Sequence, residues 1–79
     1  MTVTVRLADT LVDLSARKEP EFQIDHREGM TVWDLILEQG FRERDAEAIA
    51  AIINDAQGDH DDLLRDGDEV ELLVSISGG

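Results

Sequence analysis

The sequence predicts a single α+β domain in which one main helix packs against a β-sheet. Three observations lead to this prediction: two alternating apolar segments near the N-terminus, a capped amphipathic helix after them, and another alternating segment close to the C-terminus. A chain of 79 residues buries only about 60% of its unfolded surface, so it holds one core. A deep catalytic cleft is therefore not expected.

The first predicted strand runs from Thr2 to Leu7, because Val3, Val5 and Leu7 alternate with polar residues. A second strand contains Phe22 and Ile24 and ends where residues 26–29 form a turn. We expect the two strands to pair.

The segment between these strands has a different pattern. From Ala8 to Ser15 the apolar residues have helical spacing, and one or two helical turns would bury Leu11, Val12 and Leu14. Residues 17–21 contain the single proline of the chain and are interpreted as a connection.

The main helix is predicted from Thr31 to Gln39. Thr31 and Asp34, three residues apart, have the form of a capping box, and Gly40 is suited to end the helix. Val32, Leu35 and Ile36 share one face and should pack on the sheet.

Trp33 and Leu37 lie four residues apart on an adjoining face of this helix. They are either the margin of the core or an exposed apolar patch, and the core margin is the favoured interpretation.

The middle of the chain is ambiguous. Ala46, Ile49, Ala50 and Ile53 fit one face of a helix, whereas the apolar run 50–53 before Asn54 also fits a short buried strand and a turn. Local propensity favours the helix.

The last third contains a polar turn-forming stretch at 58–62. After it, Leu63 and Leu64 are expected to lie on a short helical turn and to bury their side chains in the core. Residues 65–68 form a turn, and 69–74 form the final strand. One face of that strand carries Val70, Leu72 and Val74. The predicted core of the domain comprises Val3, Val5, Val32, Leu35, Ile36, Val70 and Leu72.

Composition excludes several functions. Nineteen acidic and seven basic residues give a net charge of −12, which repels nucleic acid and anionic lipid and favours encounters with a basic protein surface. The absence of cysteine excludes disulfides, thiolate metal sites and cysteine nucleophiles. No apolar run is long enough to cross a bilayer and no signal peptide opens the chain, so we expect a cytoplasmic protein that binds neither membranes nor nucleic acid.

Conventional sites are mostly missing from the sequence. It contains no glycine-rich phosphate loop, and His26 and His60 lack zinc-ligand spacing, so both are interpreted as surface histidines. The acidic residues Asp59, Asp61, Asp62, Asp66 and Asp68 suggest calcium. A calcium loop starting at Asp62 would put Leu64 at its third position and Leu73 at its twelfth, where oxygen ligands are needed. No metal site is predicted.

The C-terminus carries a reactive group of its own, the carboxylate of Gly79. Two consecutive glycines make a narrow and permissive tail that fits where a larger residue would clash. A frayed end is the ordinary explanation for such a pair. Because Gly78 and Gly79 closely follow a final strand, we instead predict a domain at 1–74 and a flexible functional tail at 75–79.

The chain resembles the MoaD/ThiS sulfur carriers, which are ubiquitin-like β-grasp proteins. The matching segments span nearly the whole chain, and the turn and strand Asp66-Gly67-Asp68-Glu69-Val70 followed by Gly78-Gly79 are the most specific of them. The other segments are Val3-Thr4-Val5-Arg6-Leu7, Gly29-Met30-Thr31-Val32-Trp33-Asp34-Leu35-Ile36 and Arg65 to Leu73.

The resemblance implies a mixed sheet crossed by the main helix. It also implies that 49–53 is a strand leading into the turn at Asn54 and Asp55, against local propensity. The long segment 8–21 is similar to the small subunit of molybdopterin synthase, whereas the proline-free tail is closer to the thiazole-pathway carrier. Archaeal ubiquitin-like modifiers have the same fold and ending, so the subgroup stays open.

The resemblance further implies a function. An E1-like adenylating enzyme would use ATP and magnesium to activate Gly79, and sulfur would replace AMP to give a thiocarboxylate. A sulfur-acceptor enzyme, such as the large subunit of a molybdopterin or thiazole synthase, would then receive the tail, with Gly78, Ser77 and Ile76 in its binding channel. The chain itself would bind no cofactor and would be a cosubstrate, not an enzyme.

Two alternatives stay open. In the first, Gly79 is joined to lysines of target proteins, which would make the chain a ubiquitin-like modifier. In the second, the chain is a non-covalent interaction domain whose glycine ending is incidental.

Overall fold

The computed structural model describes residues 1–74, so the predicted site residues Ile76, Ser77, Gly78 and Gly79 lie outside the described part. The described elements are β1 (Thr2–Leu7), α1 (Asp9–Val12), β2 (Glu21–Asp25), α2 (Val32–Glu38), α3 (Glu43–Ala46), β3 (Ile49–Ile53), β4 (Ala56–Gly58) and β5 (Glu69–Val74). This order agrees with the predicted strand, strand, helix, strand and final strand. No helix within residues 1–74 is long and apolar enough to cross a membrane.

The five strands form one mixed sheet in the order β2-β1-β5-β3-β4. β1 pairs antiparallel with β2 and parallel with β5, so the two ends of the domain meet at the centre of the sheet. β3 pairs antiparallel with both β5 and β4. The α+β class with a mixed sheet is confirmed.

The core lies between one face of this sheet and α2. Alternate residues of β1 and β5 face inward, where they meet the buried face of the helix. All seven residues predicted for the core are buried: Val3, Val5, Val32, Leu35, Ile36, Val70 and Leu72.

The ends of α2 follow the sequence prediction. The Thr31 hydroxyl accepts from the Asp34 N–H at 3.2 Å, and the Asp34 carboxylate accepts from the Thr31 N–H at 3.1 Å, which completes the capping box. Gly40 has φ of +91° just after the C-cap. Trp33 and Leu37 are half-buried and pack against the core, so the core-margin interpretation is confirmed.

The ambiguous middle contains a short helix and then a strand. α3 ends at Ala46, and residues 49–53 form β3, so the helical alternative was wrong and the strand implied by the resemblance is confirmed. Asn54 and Asp55 form the turn with φ of +49° and +69°, a conformation that asparagine and aspartate tolerate better than most residues. The short β4 after this turn was not predicted.

Two leucines lie outside the core that was predicted to bury them. Leu14, just beyond α1, is 64% exposed, and Leu63 is also 64% exposed. Leu63 forms an isolated bridge with Thr31 instead of a helical turn, and only its neighbour Leu64 enters the core. In an extended segment successive side chains point to opposite sides, so only one of Leu63 and Leu64 can be buried.

Candidate partner-binding site

The described chain ends on the central strand of the sheet. β5 is paired with β1 on one side and with β3 on the other, and the pairing with β3 reaches its last residue, where Val74 lies opposite Ile49. The N–H of Ala8 donates to the carbonyl of Leu72 at 2.9 Å. β5, which ends just before the predicted tail, is therefore hydrogen-bonded to a neighbouring strand on each side.

The face of the sheet opposite α2 carries a small apolar surface, the outer patch, formed by Ala50, Ile52 and Leu73. All three residues are half-buried. Ala50 lies directly opposite Leu73 across β3 and β5, at the end of the sheet where the chain passes into residue 75. A cavity of about 280 Å³ lies over the outer patch and is also lined by Asp55 and Gln57.

Acidic side chains surround the outer patch. Glu69 and Glu71 are exposed on the same face of β5. The neighbouring Arg6 already forms ion pairs with acidic side chains. Its guanidinium lies 3.3 Å from a Glu21 carboxylate oxygen and 3.6 Å from one of Glu69. An apolar centre with an acidic rim fits an apolar partner surface that is flanked by basic residues.

The five aspartates considered for calcium do not act as one group. Asp59, Asp61 and Asp62 come together with candidate ligand atoms within 4.8 Å of one another, but all three are exposed. Asp62 accepts a hydrogen bond from the Asp59 N–H at 2.8 Å, which closes their turn. The cluster has the geometry of an exposed acidic loop.

Asp66 and Asp68 instead hold the start of the sheet together. Asp66 accepts from the Thr2 N–H at 2.7 Å and lies 3.1 Å from the amino group of Met1. The hydrogen bond from that amino group and the bond from Thr2 lower the pKa of Asp66. Asp68 is buried, and it accepts from the N–H of Arg65 at 2.7 Å and the side-chain amide of Asn54 at 2.9 Å.

The interpretation of both histidines as simple surface residues was wrong. Each is half-buried, and each Nε2 lies within hydrogen-bond distance of a backbone carbonyl: His26 reaches Leu64 at 2.8 Å and His60 reaches Ile49 at 2.6 Å. A carbonyl oxygen only accepts, so both Nε2 atoms carry the donated proton. The His60 ring also lies 5.2 Å from the ring of Trp33. Both histidines therefore fasten loops to the domain.

Comparison with known proteins identifies the family. The model of the ThiS family matches residues 5–79, which is almost the whole chain and includes the diglycine ending. The chain belongs to the ThiS family.

Solved structures show the fold of the chain. The chain is similar to SAMP1 from Haloferax volcanii, with 20% identity, a TM-score of 0.71 and full coverage of both chains. It is also similar to a putative molybdopterin converting factor, subunit 1, from Pyrococcus furiosus, with 23% identity and a TM-score of 0.73 over 96% of this chain and 99% of that one. The mixed sheet with one main helix is thus the ubiquitin-like β-grasp fold.

A further match is a chain of the complex of subunits 1 and 2 of molybdopterin-converting factor from Helicobacter pylori. It is 26% identical, with a TM-score of 0.63 and full coverage of both chains. In that structure, subunits 1 and 2 of the Helicobacter pylori factor form a complex with each other.

The outer patch of this ThiS-family chain was not predicted from its sequence. A signal was present, because residues 50–53 and 72–74 are continuous apolar runs, whereas β1 and β2 alternate. A strand that is apolar at every position is apolar on both faces. One face of β3 and β5 fills the core, and the other face was available for a partner.

Proposed function

We propose that this chain is a sulfur carrier whose Gly79 carboxylate is adenylated by an E1-like enzyme and then converted to a thiocarboxylate. The observation that carries the proposal is the position of β5, which is fixed at the centre of the sheet and ends only five residues before the diglycine carboxylate. The membership of the ThiS family supports the same function.

The chemistry explains why a partner enzyme is needed. A carboxylate resists nucleophilic attack, because attack adds negative charge to a group that is already an anion. In the first step a Gly79 oxygen bonds to the α-phosphorus of ATP, and magnesium pyrophosphate leaves. In the second step a sulfur nucleophile at the oxidation level of hydrosulfide attacks the acyl carbon, the bond to AMP breaks, and a thiocarboxylate results.

The domain and the tail have separate tasks in this proposal. The outer patch and its acidic rim dock the adenylating enzyme, which presents an apolar surface flanked by basic residues. Gly78, Ser77 and Ile76 occupy the channel that leads to the reacting atoms, where the glycines provide clearance. Five residues span at most about 18 Å when fully extended, so a partner's reacting atoms must lie within that distance of the sheet.

The acceptor is proposed to be the large subunit of a synthase of the molybdopterin or thiazole type. Similarity to a chain of the molybdopterin-converting factor complex supports an acceptor of the first kind. In this transfer the thiocarboxylate sulfur is the nucleophile, so the acceptor must bring it into contact with the carbon that receives the sulfur and keep water away from that carbon.

The decisive experiment measures the intact mass of the protein after incubation with the adenylating enzyme, ATP, magnesium and a sulfur donor. We expect the mass to rise by the difference between sulfur and oxygen, and the change to map to the C-terminal peptide. Deletion of Gly79 withdraws the carboxylate by up to about 3.6 Å, which is too far for reaction at contact distance. Gly78→Val keeps the carboxylate but widens the tail, and it should also abolish the mass change.

The same measurement on protein from its native host separates the alternatives. A thiocarboxylate supports the carrier, whereas a conjugate through Gly79 to lysines of other proteins would make the chain a modifier. If the Gly79 deletion variant were adenylated as efficiently as the intact chain, both the carrier and the modifier proposals would be contradicted. The interaction-domain interpretation would then remain.

The docking role of the outer patch has its own test. Ile52→Lys introduces a charge into the patch, so it should raise the KM for adenylation at least about tenfold while the folding midpoint changes little. Thr10→Lys adds the same charge at an exposed position of α1 and serves as the control. Equal KM values for both variants would exclude docking through this patch.

A further inference from the structure

The outer edge of β2 presents backbone groups that face away from the sheet. In an antiparallel pair, alternate residues exchange both hydrogen bonds with the partner strand. The N–H of His26 donates to Met1 and the N–H of Leu7 donates to Pro20, at 3.0 and 2.8 Å. In this register Phe22 and Ile24 bond to β1, so the N–H and C=O groups of Glu21, Gln23 and Asp25 point outward.

The opposite edge of the sheet is built differently. β4 has only three residues, and beyond its end the carbonyl of Ile49 in β3 is within hydrogen-bond distance of the His60 ring, at 2.6 Å. Short and covered edges of this kind prevent pairing with other chains. β2 has five residues without a proline or a bulge, so it is the longer and more regular of the two edges.

A groove follows the β2 edge on its core side. It has a volume of about 350 Å³ and lies between Ile24 of β2, the Ala16 and Arg17 segment, and the end of α2 at Glu38 and Gln39. Ile24 is half-buried at its floor. A residue that pairs opposite Ile24 would point its side chain into this groove, because side chains of paired strands alternate in phase.

Charge decides which strand can pair at this edge. Glu21 and Asp25 are exposed on the outer face, on either side of Gln23. The Arg6 guanidinium lies 3.3 Å from Glu21, so a basic residue opposite Glu21 would share that carboxylate with Arg6. If two copies paired antiparallel about Gln23, each Glu21 would face an Asp25, and parallel pairing would also oppose like charges. Like charges directly opposite each other destabilise a sheet, and each chain carries a net charge of −12.

We propose that the β2 edge binds an extended basic peptide of another protein as a sixth strand. The peptide places basic residues opposite Glu21 and Asp25, and an apolar residue opposite Ile24 in the groove. The main-chain bonds of Glu21, Gln23 and Asp25 supply affinity, and the alternating side chains supply selectivity. This site is on the β2 edge, two strands away from β5, and does not depend on the chemistry proposed for Gly79.

The probe is a synthetic peptide with blocked ends and the central sequence Lys-Val-Thr-Val-Lys, which reads the same in both strand directions. Titration at physiological salt should show saturable binding to the folded protein. Hydrogen exchange should slow at the amides of Glu21, Gln23 and Asp25, because these N–H groups enter a ladder only when the peptide is bound.

Gln23→Pro removes the central outward donor and places a ring against the incoming strand, so binding should weaken by about tenfold or more. Proline is tolerated on an edge strand where the N–H faces solvent. Gln57→Pro is the matched control. Gln57 lies opposite Ile52, and the backbone groups of Ile52 bond to β5 and not to β4. The N–H of Gln57 therefore also points away from the sheet, but on the β4 edge. Binding should survive this change.

A charge exchange keeps the test informative if the proline variant fails to fold. Asp25→Lys should weaken binding of the basic peptide and strengthen binding of a Glu-Val-Thr-Val-Glu peptide. Glu47→Lys makes the same change of net charge at a distant exposed position and should alter the two affinities much less. Absence of saturable binding, or binding without protection of the three amides, overturns the proposal. A dimer that Gln23→Pro abolishes would show that a second copy occupies the edge, and would also overturn it.

Discussion

At the scale of single residues, the described chain depends on a few glycines with positive φ. Gly29, Gly40 and Gly67 have φ of +82°, +91° and +88°, where a Cβ strains the backbone. Their surroundings differ. A Cβ on Gly40 would lie 3.1 Å from the Cβ of Ala16, whereas nothing lies within 4 Å of one on Gly29 or Gly67. Gly40 therefore has both a conformational and a packing role.

We expect Gly40→Ala to destabilise the protein more than Gly29→Ala. Both changes incur the strain of a side chain at positive φ, on the order of 1–2 kcal/mol. Only Gly40→Ala also forces the Ala16 segment to move, which disturbs the bond from the Ala16 N–H to the Gln39 carbonyl. Urea unfolding of the two variants measures the difference, and equal losses would contradict a packing role for Gly40.

Asp66 should contribute to the loss of folding stability at acidic pH. Its pKa is lowered by the hydrogen bond from the Met1 amino group and then by the bond from the Thr2 N–H. A lowered folded-state pKa means that its stabilisation is complete above the ordinary value of 3.8 and is lost as pH falls through the folded-state pKa.

Asp66→Asn removes this titration, so the variant should lose less stability than the parent as the solution is acidified below the ordinary aspartate pKa. Urea unfolding at several acidic pH values measures the two profiles. Parallel profiles, or an Asp66 carboxyl signal that titrates at the ordinary position in NMR, would contradict the assignment.

At the scale of elements, the loop between β4 and β5 is anchored by one of two adjacent leucines. Leu64 is 3% exposed and its N–H donates to the Met30 carbonyl at 2.8 Å, whereas Leu63 is 64% exposed. The His26 ring also donates to the Leu64 carbonyl. Leu64 therefore fixes the loop to the start of α2, although the loop has no helix or strand of its own.

Leu64→Ala should cost about 2–5 kcal/mol, because it removes buried methyl groups and leaves a cavity. Leu63→Ala is the matched control and should stay within about 0.5 kcal/mol of the parent. Denaturant unfolding of both variants tests this contrast. Comparable losses would mean that the two side chains share the burial.

At the scale of the whole molecule, charge opposes folding. The net charge is −12, and the ion pairs within residues 1–74 are few and exposed, among them those of Arg6 with Glu21 and Glu69 and that of Arg27 with Glu38. Exposed pairs of this kind contribute little individually. Self-repulsion therefore remains a cost that the core must exceed.

Added sodium chloride should raise the melting temperature, because screening reduces the repulsion among acidic groups. The same salt should weaken binding to a basic partner. A variant with Glu28→Gln and Glu47→Gln lowers the net negative charge at two exposed positions, so its melting temperature should rise less steeply with salt. Identical salt dependence in both proteins would show that ion binding or preferential exclusion, not self-repulsion, sets the response.

The sequence by itself determined the elements whose causes are local. Alternation predicted β1, β2 and β5, and the capping box predicted the start of α2, because a strand face and a helix cap each need only a few neighbouring residues. The terminal glycines suggested the site through covalent structure alone, and that site stays a prediction. Resemblance to the MoaD/ThiS carriers was needed for β3, whose apolar residues fit either period.

The tertiary structure decided what depends on partners distant in sequence. Burial of Leu64 but not Leu63 follows from which side of that segment meets the core. The outer patch exists because β3 pairs with β5, which places Ala50 beside Leu73 across 23 positions of chain. The free edge at β2 likewise follows from strand order. Strand order is set by which arrangement buries the most apolar surface at once, and no local pattern in the chain encodes that sum.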